Sequence, residues 1–106
     1  MKSYVEYNGK KYGTICGAVE TAPDTAESMT IRIYDTNGSY EDIELERGRA
    51  GDIIYTAYDV LDENGEVYAE EINTAAEAAA IAEEIGGTAY ATEQTIYERI
   101  NCTIID

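Results

Sequence analysis

The sequence predicts an α+β fold: an antiparallel β-sheet of hairpins, about five to seven strands, with one main helix at about 75–85 packed on one face. Three observations predict it. Asn8-Gly9, Asn37-Gly38 and Asn64-Gly65 each lie between strand-forming runs, and Asn-Gly is the strongest short hairpin signal because both residues accept the positive φ of a tight turn. Around the second pair, Ile31 and Ile33 alternate with polar residues, and Ile43 and Leu45 alternate with Asp42, Glu44 and Glu46, the period of a sheet with one wet face. From Thr74 onward the apolar period becomes helical.

Taken in order, "SYVEY" and "KYGTICGAV" flank the first Asn-Gly and read as two strands. "ETAPDTAES", with the only proline, is a loop between the second and third strands. "SMTIRIYD" and "SYEDIELE" flank the second pair, "ERGRAGD" is a loop holding two of the seven bases, and "DIIYTAYDV" and "EVYAEEI" flank the third pair. In "TAAEAAAIAEEIGG", Ala78, Ile81, Ala82 and Ile85 fall on one helix face. Thr74 and Glu77 form a capping box, and Gly86 is a C-terminal cap. "TAYAT" and "TIYERINCTII" read as one or two further strands, with Ile96, Ile100, Cys102 and Ile104 on one parity; a short helix over 93–99 is the alternative. The hairpin is the only unit that recurs, and 106 residues are most economically one acidic domain spanning 1–106.

Composition narrows the function. With 44% hydrophobic residues spread along the chain, the sequence is globular rather than a disordered acidic tail. It has ten Tyr, no Phe and no Trp, so Tyr must serve core and surface alike, and exposed rings are available as binding anchors. The net charge of −15 repels nucleic acid and anionic membranes and favours basic partners with fast, salt-sensitive association. The absence of His removes the usual general base and the commonest metal ligand. Cys16 and Cys102 make no CxxC or zinc pattern; two buried thiols in a reducing cytosol are the favoured reading, and a disulfide requires the fold to bring them together. "MKSYVEYNGKK" lacks the apolar core of a signal peptide, and no apolar run has the length of a membrane helix, so a soluble, intracellular protein is expected.

No catalytic motif stands out, and neither an enzyme nor a cofactor is expected. Acids in such excess single out no glycosidase pair, and a cysteine nucleophile would need a base that the chain lacks. "GRAG" at 48–51 is too short for a phosphate cradle. A calcium loop needs Gly sixth and Glu twelfth; in "DENGEVYAEEIN" Gly is fourth and the twelfth residue is Asn. "DTNGSYEDIELE" also has Gly fourth, although Glu46 falls twelfth.

Charge is the informative feature. Residues 1–49 hold nine acids and six bases, whereas residues 50–98 hold twelve acids and no base. Fold alone does not require a one-signed stretch; charge patterning bears on solubility and partners. A strand sets alternate residues about 6–7 Å apart, so Asp42, Glu44 and Glu46 form a regular row of carboxylates, as duplex DNA presents regularly spaced charge. Exposed Tyr rings can imitate stacked bases.

A small, highly acidic, β-rich chain of this kind resembles the phage-encoded inhibitors of nucleic-acid enzymes, including the anti-CRISPR proteins. "DIIYTAYDVLDEN", 52–64, is similar to a stretch of the uracil-DNA glycosylase inhibitors, with Asp-Ile, Thr-Ala-Tyr-Asp and Asp-Glu-Asn in order and a one-residue gap. Glu27-Ser28 echoes the acidic strand of that family, at a different spacing. The resemblance covers about an eighth of the chain and has no counterpart for the helix and the final strands. It implies a non-enzymatic DNA or RNA mimic that binds a basic nucleic-acid-binding protein, a Cas effector first and a repair glycosylase as an alternative. The host cytoplasm is the expected compartment if the gene is phage-borne. The residues expected to meet the partner are Asp42, Glu44, Glu46, Asp59, Asp62, Glu63, Glu66, Tyr68, Glu70 and Glu71. A phage or mobile-element module that binds another protein through a sheet edge is the rival reading.

Overall fold

The computed structural model describes residues 2–105. Among them are eight strands, β1 (Tyr4–Tyr7), β2 (Lys10–Tyr12), β3 (Ser28–Tyr34), β4 (Tyr40–Glu46), β5 (Tyr55–Leu61), β6 (Val67–Ile72), β7 (Thr88–Gln94) and β8 (Arg99–Ile104). Helix α1 (Ile15–Val19) lies between β2 and β3, and helix α2 (Ala75–Ile85) between β6 and β7. All pairings between these strands are antiparallel, and the α+β class holds. The strands divide into two four-stranded sheets, ordered β2-β1-β3-β4 and β6-β5-β7-β8.

That order reveals a repeat that the hairpins only hinted at. Each half of the chain runs strand, strand, helix, strand, strand, and each sheet places its first strand between its second and third. The equivalence reaches the helix caps. Thr14 Oγ1 accepts the Gly17 N–H at 3.1 Å, and Thr74 Oγ1 accepts the Glu77 N–H at 3.1 Å. The residues just before these caps meet: Asn73 Nδ2 donates to the Gly13 carbonyl at 2.9 Å.

Helix α1 corrects the reading of "KYGTICGAV" as one strand. The strand stops at Tyr12, and Ile15, Ala18 and Val19 are buried at helical spacing behind the Thr14 cap. At five residues with a central Gly17, the element offers too little periodicity to stand out. The alternative helix over 93–99 is not formed. Strand β7 runs to Gln94 and turns tightly: Thr95 N–H donates to the Glu98 carbonyl at 2.9 Å, and Thr95 Oγ1 accepts the N–H groups of Tyr97 and Glu98.

Two cores follow from the two sheets. Val5, Met29, Ile31, Ile33 and Leu45 line the inner face of the first sheet, closed by Ile15, Ala18 and Val19 of α1 and by Tyr55 and Ala57 of β5. The second sheet packs Val60, Ile72 and Ala89 against Ala78 and Ala82 of α2. Small alanines let the helix lie close to the strands. The Gly86-Gly87 link returns the chain at once: Gly86 takes the left-handed conformation (φ 69°), and a Cβ on Gly87 would lie 2.2 Å from the Leu61 carbonyl oxygen.

The Asn-Gly hairpins form in all three places. Asn8 and Gly9 both have positive φ, as a two-residue turn requires. The other two share a five-residue design. In "DTNGS" Asp35 N–H donates to Ser39 O at 2.8 Å and Gly38 N–H to Asp35 O at 3.0 Å; in "DENGE" Asp62 N–H donates to Glu66 O at 2.7 Å and Gly65 N–H to Asp62 O at 3.0 Å.

Candidate functional site

The carboxylates expected to face a partner separate into three sets. Strand β4 carries Asp42, Glu44 and Glu46 exposed at alternate positions while Ile43 and Leu45 turn inward, so the row exists. Its first member is not free. Arg32, directly across on β3, grips Asp42 through Nε at 2.8 Å and Nη2 at 3.2 Å, which lowers the Asp42 pKa. The Arg32 guanidinium also lies 4.1 Å over the Tyr40 ring. Beside it Tyr4 and Tyr34 stack at 4.6 Å, and Lys11 sits 5.0 Å over Tyr4. The outer face of the first sheet is thus a tyrosine–cation surface edged by Glu44 and Glu46.

A second set withdraws from the surface, against expectation. Asp59 is 4% exposed. It accepts the Thr92 hydroxyl at 3.0 Å and the Glu71 N–H at 3.3 Å and pairs with Arg99 Nη1 at 2.9 Å. It therefore serves the fold, because a buried carboxylate persists only when its oxygens are paired. Glu71 is half-withdrawn as well. Its Oε1 accepts from Gln94 Nε2 at 2.6 Å, its Oε2 is buried without a partner, and burial raises its pKa. Its backbone stands at φ 57° within a bulged stretch of β6, a strained setting for a non-glycine residue. Gln94 Nε2 also donates to the Tyr55 hydroxyl at 3.1 Å, and burial raises the Tyr55 pKa.

The third set stays in solvent and gains members. Glu63, Glu66, Tyr68 and Glu70 are exposed along the β5–β6 turn and the edge strand β6. Arg99 reaches Glu70 at 3.4 Å. Asp62 is half-buried and shapes the turn, its Oδ1 accepting the N–H groups of Asn64 at 2.9 Å and Glu66 at 3.0 Å. The close approach of Gly87 to Leu61 brings the C-terminal end of α2 beside this turn, and there Glu83 and Glu84 are both exposed. Asp62, Glu63, Glu66, Glu83 and Glu84 thus share one end of the second sheet, an acidic pole with no base among residues 50–98. Glu83 and Glu84 were missed because nothing local links them to "DENGE". A readable signal exists: two acids in the last turn of a helix with no base there oppose the helix dipole, a local cost without local gain.

Three of the four arginines do little to screen this charge. Arg32 is held by Asp42, Arg99 by Asp59 and Glu70, and Arg47 donates to three backbone carbonyls, Ala26 at 2.7 Å, Gly51 at 2.6 Å and Pro23 at 3.1 Å. Cys16 and Cys102 are free thiols, and neither is the expected buried one: Cys16 is half-buried, and Cys102 is exposed because β8 is an edge strand exposed along its whole length. Among the described residues, no group of three or more acids or cysteines is arranged to hold a metal ion, and no helix is long and apolar enough to cross a membrane.

The stretch 52–64 supplies strand β5, which is paired on both sides by β6 and β7. Only its end, Asp62 to Asn64, reaches the acidic pole. Comparison of the chain with protein-family models, curated proteins and solved structures gave no match to any of them.

Proposed function

We propose that the protein is a non-enzymatic inhibitor that occupies a basic nucleic-acid-binding surface as a mimic of DNA or RNA, with a Cas effector as the leading target class and a repair glycosylase as the alternative. The observation that carries this reading is the acidic pole. Seven of the twelve acids in residues 50–98 are exposed, the stretch holds no base, only Glu70 among the seven meets an arginine, Arg99, and two of the seven sit where they disfavour their own helix. In this mechanism the pole pairs with arginines and lysines of the target, while exposed Tyr68 supplies a desolvated anchor. The experiment is capture from a host lysate at low salt. A nucleic-acid-binding protein should be retained and released steeply by added salt. Replacing Asp62, Glu63 and Glu66 with amides should weaken capture. Recovery of no such protein, or an unchanged affinity of the variant, refutes the reading.

One observation favours the rival module that binds through a sheet edge. Strand β8 offers an unpaired backbone edge with Ile100 and Ile104 exposed, and it lacks the acids that guard β4 and β6. Binding there would vary little with salt and would be abolished by a proline at Cys102, whose N–H has the parity that faces away from β7.

A further inference from the structure

A groove of about 570 Å³ opens between the two halves, at the end of α2 away from the acidic pole. This volume falls within the usual range for ligand clefts. Its floor is the inner face of the first sheet, where Ile43 is half-buried and Ile31, Ile33 and Leu45 belong to the buried core, and the far wall is the start of β5 with half-buried Ile54 and exposed Thr56. Acids stand on both walls: Asp35 and Glu41 on the first half, Glu93 on the second, cross-strand from Thr56. Among the described residues, no base lines the groove. Buried Asn73 at the inner wall spends its Nδ2 on Ser3 Oγ at 3.0 Å and Gly13 O at 2.9 Å, which leaves its Oδ1 without a donor. The ionised and orphaned groups of this groove are therefore all acceptors, set over an apolar floor.

That chemistry selects a donor-rich cation on an apolar stem. Arginine and lysine are built this way, with a methylene stem that lies on apolar surface and a charged head that seeks acceptors. We propose that the groove receives an arginine- or lysine-bearing apolar segment of a protein partner. The stem rests on Ile43 and Ile54, and the head lies among Asp35, Glu41 and Glu93. This contact is separate from the acidic pole and does not depend on it.

The test uses the whole chain and two peptides, acetyl-Leu-Arg-Ile-Arg-Leu amide and its counterpart with citrulline for both arginines. Isoleucine methyl resonances report the contact. The arginine peptide should shift Ile31, Ile33, Ile43 and Ile54 saturably, and the citrulline peptide should not. Joint replacement Glu41→Gln and Glu93→Gln should weaken binding at least about fivefold. Thr56→Arg should abolish it by laying an internal guanidinium beside Glu93, while methyl shifts elsewhere report an intact fold. Amides at Asp62, Glu63 and Glu66 should leave peptide binding intact, which separates this groove from the pole. The proposal is overturned by equal shifts with citrulline, by shifts confined to the pole, by loss of binding in the pole variant, or by groove shifts that grow with protein concentration alone and so identify a second copy.

Discussion

The two halves follow one chain path and fill it by opposite means. The first half surrounds a five-residue helix with large aliphatic side chains, and its outer face balances Arg32 and Lys11 against tyrosines and acids. The second half lays an eleven-residue helix on the sheet through alanines and carries a paired polar network on the opposite face. Identical topology therefore tolerates quite different interiors, provided the central strands keep their buried parity. It also leaves each half free to carry a different surface, nearly balanced in one and almost wholly acidic in the other.

Substitutions can break this contrast in order of size. Ile31→Ala empties a position 1% exposed in the first core and should cost about 3 kcal/mol, measured by urea denaturation. The second half should fail in the reverse sense. Ala78 is fully buried between helix and sheet, so Ala78→Leu should cost about 2 kcal/mol by overpacking. Asp59→Ala should also cost about 2 kcal/mol, because it strands the Thr92 hydroxyl and the Glu71 N–H. A change smaller than about 0.5 kcal/mol there would mean that the network is incidental. Glu83→Lys with Glu84→Lys should raise stability by about 0.5–1 kcal/mol through the helix dipole while weakening capture of a basic target, an opposition that a merely structural role would not produce.

The smallest effect is a pH dependence. Burial raises the Glu71 pKa in the folded state, so ionised Glu71 costs stability above that value, and the cost is relieved as pH falls through it. Asp42 acts in the other direction: its lowered pKa contributes stability that is lost only as pH falls below the ordinary carboxylate range. The denaturation midpoint should therefore rise on moderate acidification from neutrality, before the loss from Asp42 begins. Glu71→Gln should flatten the part of that rise due to this residue. An unchanged slope in the variant would assign the rise to general charge repulsion instead.

The sequence was most readable where the physics is local. Asn-Gly pairs, the alternation along β3 and β4, and the capped helix at 75–85 each declare themselves within a dozen residues. The repeat did not, because it lies in pairing order rather than in shared side chains: fully buried Val5 in β1 and buried Asp59 in β5 sit in corresponding central strands. Asp59 looked like one more surface acid because its partners come from elsewhere, Thr92 being 33 residues distant. Glu83 and Glu84 joined the acidic pole only through the approach of Gly87 to Leu61.

The repeat also sets an order of assembly. Every pairing between the eight described strands lies within one half, so each sheet can form from neighbouring chain, the arrangement that favours quick folding. Yet the first core includes Tyr55 and Ala57, which belong to the second half. During synthesis the first sheet is complete at Glu46, with part of its apolar face open until β5 emerges. While Arg47–Ile54, closed by the bridge from Arg47 to Ile53, is being made, the face that Tyr55 and Ala57 later cover stays open, and slow codons there would lengthen that interval.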